Sequence, residues 1–84
     1  MDMTARHDLR DFIGSALKKH GDHGQVADDE SLFVSGRLDS LSMMNLVVYL
    51  EDSFGLDFSR LDFDVDLVDS IDEIASLVDS NRSG

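Results

Sequence analysis

The sequence predicts an all-α domain: a small four-helix bundle of three main helices plus one short helix, with a long first loop. Three observations lead there. Apolar residues recur at helical spacing in three segments, the one alternating segment has no second strand to pair with, and 84 residues suit one hydrophobic core but not two. Residues 1–84 are therefore read as a single domain.

Leu9, Phe12, Ile13, Ala16 and Leu17 follow the i, i+3, i+4, i+7, i+8 pattern of a helix with one buried stripe. This first helix is expected from near Thr4 to Lys18-Lys19-His20-Gly21, where basic side chains face the negative end of the helix dipole. Residues 21–38 have no sustained period and read as a long loop anchored by Leu32-Phe33-Val34; a structureless stretch of this length is usually functional. A second helix opens at Asp39-Ser40 and ends at Gly55. Its apolar residues, from Leu41 through Met43, Met44, Leu46, Val47 and Val48 to Leu50, nearly encircle it, so part of that surface must face solvent or a partner. From Leu56 to Val68, Leu61, Phe63, Val65 and Leu67 alternate with acids. Without a pairing partner this is not a strand, and a short helical turn near Asp64 to Val68 is expected. Ser70-Ile71-Asp72-Glu73 fits a capping box, followed by a buried face of Ile71, Ile74, Ala75 and Val78. Asn81 to Gly84 are expected to fray.

Seven Lys and Arg stand against 18 Asp and Glu, a net charge of −11, which disfavours nucleic acid and anionic lipid and points to basic protein partners. The charge is one-sided. Residues 39–84 hold 11 acids and 2 basic residues, whereas residues 1–38 hold 7 and 5. With no cysteine, the chain supplies no thiolate, disulfide or zinc-thiolate site. The N-terminal residues lack an apolar run after a basic start, and no stretch reaches membrane-spanning length, so the expectation is a monomeric cytoplasmic protein without membrane insertion.

Asp39-Ser40-Leu41 on its own reads as a helix N-cap. The flanks add more. Phe33, Gly36, Leu38, Asp39, Ser40, Leu41, Leu50, Glu51, Phe54 and Gly55 stand in the pattern F-x-x-G-x-L-D-S-L-x(8)-L-E-x-x-F-G. This resembles the phosphopantetheine attachment region of the acyl and peptidyl carrier proteins. Helix order, long first loop, short third helix and acidity are similar too, so the resemblance covers essentially the whole chain.

The chemistry agrees with it. A shuttle for activated acyl groups needs a thioester, and a chain without cysteine must borrow its sulfur. A serine at the exposed start of a helix can accept a phosphate-linked arm, because free backbone N–H groups and the positive dipole end favour the phosphodiester. No histidine or lysine lies near Ser40 in sequence to activate its hydroxyl as in a hydrolase, so no catalysis by the chain itself is expected. The resemblance implies that a phosphopantetheinyl transferase, using Mg²⁺ and coenzyme A, attaches 4′-phosphopantetheine to Ser40, with Asp39 helping to hold the metal. An adenylating amino-acid or acyl ligase would then load the arm, and a downstream acyltransferase or synthase would unload it. Leu41 and Met44 match the family's apolar contact positions, although Met44 could instead be core. Glu51 and Asp52 sit at the unfavourable end of their helix dipole, so they read either as partner contacts or as a solvated face.

Fatty-acid carriers usually have an acid at the fifth position after the serine. Here that residue is Asn45, and Ser42, Met43 and Met44 are uncharged as well. The segments from Leu32 to Ser40 and from Leu61 to Asp66 look closer to stand-alone aminoacyl carriers such as the D-alanyl carrier proteins, with a specialised acyl or polyketide carrier as the next reading. Two other classes stay open. Asp62, Asp64, Asp66 and Glu73 fall at positions 1, 3, 5 and 12 of a calcium loop, which would make a divalent-cation-binding module, but Leu67 replaces the turn glycine and Asp69 stands at a usually apolar position. The other is a noncatalytic acidic adaptor in which Asp39-Ser40 is only a cap. His20 and His23 are spaced for one helix face but are separated by Gly21 and lack a third ligand, so zinc is not expected.

Overall fold

The computed structural model describes residues 1–60 and 63–81. Three α-helices, α1 (Met3–Lys19), α2 (Ser40–Phe54) and α3 (Ile71–Asn81), are joined by the long loop 20–39 and by a second connection containing 3₁₀ turns at Phe58–Arg60 and Val65–Val68. There is no strand among the described residues. The expected all-α architecture is found, and the alternating segment does turn as a short helix at its end. The 3₁₀ turn at Phe58–Arg60 was not anticipated, and Leu61 lies outside the described residues.

Each helix is set by its ends. Asp2 caps α1 by accepting the Ala5 N–H at 2.7 Å, so the helix begins one residue before Thr4. Asp39 caps α2, and Gly55 closes it in the left-handed conformation at φ 70°, where its N–H reaches the Glu51 carbonyl. Ser70 Oγ accepts the Glu73 N–H at 3.1 Å and lies 3.4 Å from Glu73 Oε1, so the glutamate of the expected capping box reaches the serine hydroxyl. Asn81 remains helical, its side-chain amide donating to Leu77 O; the fraying expected beyond it concerns residues outside the described ones.

The core joins Leu9, Ile13 and Leu17 of α1, Leu46 and Leu50 of α2, and Ile71, Ile74, Leu77 and Val78 of α3, with Leu32, Leu38, Leu56 and Val68 from the connections. Phe12 stacks on Tyr49 at 4.6 Å, and Phe54 meets Tyr49 edge-on, tying α1 to α2. The long loop is held at several points. Asp28 lies between Arg6 and Arg10, and Arg6 also bonds Asp72, so α1, the loop and α3 share one network. Arg37 grips Asp22 at 3.0 Å and also pairs with Glu30.

Asp69 is the main anchor. Burial opposes its charge, but Ser31 Oγ at 2.5 Å and the N–H groups of Phe33 and Val34 at 2.7 and 2.9 Å outweigh burial and hold the carboxyl below its ordinary range. Its own carbonyl accepts the Leu32 N–H. The turn at residues 33–36 closes through Gly36 N–H to Phe33 O with Gly36 at φ 85°, and Leu38 N–H returns to Leu32 O. These bonds deliver the chain to residue 39 in one orientation.

Candidate functional site

The candidate site is the first turn of α2. Asp39 has extended backbone, φ −101° and ψ −178°, and its Oδ1 accepts the Ser42 N–H at 2.9 Å. That bond is the main reason its carboxyl titrates below the usual range, with a smaller contribution from the nearby His20. Met43 N–H bonds to Asp39 O, which leaves the Ser40 and Leu41 N–H groups without an intrahelical acceptor. Ser40 is exposed. Its hydroxyl is not the cap; that role belongs to the Asp39 carboxylate.

Of the other candidate residues, Leu41 and Met44 are each 66% exposed, which settles Met44 as surface and not core. With Val48, 55% exposed, they form a stripe along one face of α2, and Val34 and Phe63 add apolar surface nearby. Met43, Met44, Val47, Val48 and Phe63 line a wholly apolar hollow of about 240 Å³ beside that stripe. Asp52 is exposed at the far end of α2, about 18 Å from Ser40 at 1.5 Å per residue. Glu51 beside it is half-buried, and its Oε2 lies 3.4 Å from the Phe58 N. The structure thus brings Asp39, Ser40, Leu41 and Met44 together and sets Glu51 and Asp52 apart.

Residues 7–78 match the family model described as the phosphopantetheine attachment site. The chain belongs to that family. It is a carrier domain of the kind that bears covalent 4′-phosphopantetheine and performs no catalysis of its own, consistent with holding acyl or aminoacyl groups as thioesters. No curated protein and no solved structure matched the chain. The first turn of α2 suits the arm the family carries: an exposed hydroxyl, two open N–H groups and the positive end of a four-turn helix lie together at the surface.

The carrier domain also contains a neighbour that sequence spacing did not reveal. His20, the C-cap of α1, places Nε2 3.1 Å from Ser42 Oγ and 3.5 Å from Asp39 Oδ1. It stands nineteen positions before Asp39, and only the fold joins them. Of the carboxylates of the calcium-loop reading, Asp64 accepts the Asp66 N–H and Glu73 pairs with Ser70, while Asp69, at the usually apolar position of that loop, holds residues 31–34. Asp62 lies outside the described residues. Among the described residues no group of three acids or histidines is arranged to hold a metal ion, and no helix is long and apolar enough to cross a membrane.

Proposed function

We propose that Ser40 is the attachment residue of this carrier domain and that Asp39 helps hold the Mg²⁺ used by the phosphopantetheinyl transferase. The observation that carries this reading is the exposed Ser40 hydroxyl, one residue after a capping carboxylate, at a helix start whose N–H groups are open. In the loading step the Ser40 Oγ–P bond forms, the pyrophosphate P–O bond of coenzyme A breaks, adenosine 3′,5′-bisphosphate leaves, and the serine proton passes to a base of the transferase. Leu41 and Met44, with Val48 between them and Asp52, form the surface against which each visiting enzyme packs. Glu51 and Asp52 give that surface an acidic end.

The arm carries an aminoacyl group in this proposal. Support comes from the uncharged Ser42, Met43, Met44 and Asn45 and from the likeness of the segment from Leu32 to Ser40 to stand-alone D-alanyl-type carriers. An adenylating amino-acid ligase would load the terminal thiol, and an acyltransferase or synthase would receive the product.

Incubation with a broad-specificity phosphopantetheinyl transferase, coenzyme A and Mg²⁺ is expected to add one phosphopantetheine, with the modified peptide containing Ser40. A protein that gains no mass, or gains it elsewhere, overturns the assignment. Intact mass of the domain isolated from its native cells reports the cargo, and an increment matching a fatty acyl chain overturns the aminoacyl reading.

A further inference from the structure

We infer that His20 is a positioning residue for attachment of the arm, acting through Asp39; the inference rests on Ser40 being the attachment residue. Ser42 is 7% exposed, and its hydroxyl finds its partner among the described residues in His20 Nε2. Asp39 Oδ1 lies 3.5 Å from the same nitrogen while accepting the Ser42 N–H. A carboxylate only accepts hydrogen bonds, so a proton on Nε2 suits both neighbours: it is donated to Ser42 Oγ and lies beside the Asp39 carboxylate. The C-terminus of α1 is thereby clamped to the first turn of α2.

The clamp has a directional consequence. Both contacts of Asp39 fall on Oδ1, which leaves Oδ2 as the oxygen available to a metal ion beside Ser40. Without the imidazole, Ser42 Oγ loses its donor and Asp39 Oδ1 loses the neighbouring N–H, so the Ser42 N–H is left as the main hold on the carboxylate. With that neighbour gone, the Asp39 side chain is freer to rotate about the cap. The polar contacts of His20 are to Ser42 and Asp39 and not to Ser40, so its loss is expected to change the geometry of the loading step and not the surface of Met44 and Val48.

Single-turnover loading by a phosphopantetheinyl transferase, followed by intact mass, tests this on the full chain. His20→Ala and His20→Asn are expected to lower kcat about threefold to tenfold at unchanged KM, the equivalent of one hydrogen bond. His20→Gln, whose amide nitrogen falls near the position of Nε2, is expected to stay within about twofold of the wild type. In an Asp39→Asn background, His20→Ala should add nothing, because it acts through the group already removed. Amide exchange at Ser42 should quicken in the alanine and asparagine variants and not in the glutamine variant, a readout independent of the transferase. Loading of His20→Ala at the wild-type rate, a loss shared by His20→Gln, a rise in KM instead of a fall in kcat, or additive losses in the double variant would each overturn the inference while leaving Ser40 in place. Wild-type protein that gains no mass removes the attachment reading and this inference with it.

Discussion

At the scale of single residues, two aspartates with similar neighbours do opposite work. Asp39 turns outward at the start of α2, half exposed, and its carboxylate is held ionised chiefly by the Ser42 N–H. Asp69 is buried and accepts from Ser31, Phe33 and Val34, so it fixes the loop that leads to Asp39. Removing Asp69 leaves two amides and a hydroxyl without their acceptor, and Asp69→Ala is expected to cost about 2 to 4 kcal/mol of unfolding free energy, read by urea denaturation. The pH dependence has a definite sign. Folding lowers the Asp69 pKa, so its contribution is complete above the unfolded value near 4 and is lost as pH falls through the lower folded value. The urea midpoint of the wild type should therefore drop steeply below about pH 4, and that of Asp69→Asn should drop less. Ser40 presents the reverse case. Its hydroxyl does not cap the helix, so Ser40→Ala should remove all loading while changing stability by no more than about 0.5 kcal/mol.

At the scale of elements, α2 faces two ways. Leu46 and Leu50 are buried with Ser42 on one side, while Leu41, Met44 and Val48 are exposed on the other. Leu50→Ala is expected to lose about 2 to 5 kcal/mol, because it empties a fully buried site. Met44→Glu should leave the thermal midpoint nearly unchanged and raise the KM of the transferase and ligase; equal KM values would detach the apolar stripe from partner binding. Most of this helix was legible in the sequence. The excess of apolar residues over a single stripe forecast an exposed apolar face, Gly55 marked the end, and the position of Asp39-Ser40 marked the start. Of the ten motif residues, Leu38 and Leu50 are buried, Phe33 and Phe54 pack on the core, and Gly36 and Gly55 supply positive φ, so the pattern mainly records a scaffold that turns Asp39, Ser40 and Leu41 outward. What could not be read were contacts made only by packing: His20 against Ser42, and Asp69 against residues 31–34. No local spacing encodes a bond across 22 or 38 residues. The side of α2 on which Met44 falls was open for a related reason, since an almost fully apolar helix carries little information about its buried face.

At the scale of the whole molecule, most of the charge lies outside the proposed contact surface. The domain is small, with a radius of gyration of 12.0 Å, and most of its net charge of −11 lies in residues 39–84. Within α2 the acids are only Glu51 and Asp52; the stretch nearest Ser40 is uncharged apart from the cap. In the proposed function, long-range attraction to a basic enzyme surface would come mainly from the body of the domain, and short-range packing from Leu41, Met44 and Val48. These two parts respond differently to salt. Screening shortens the reach of the exposed acids to about 10 Å at 0.1 M ionic strength but leaves apolar burial intact. Loading measured from 0.05 to 0.5 M salt should show KM rising about threefold to tenfold with kcat nearly constant, since electrostatic steering acts on encounter. Leu41→Ala should raise KM by a similar factor at every salt concentration, leaving the slope of the salt dependence unchanged. Combined Glu51→Gln and Asp52→Asn should reduce that slope only in part, since nine acids remain in residues 39–84. A KM indifferent to salt in the wild type would make the acidic half a solvated surface and leave the apolar stripe alone to bring enzymes to Ser40.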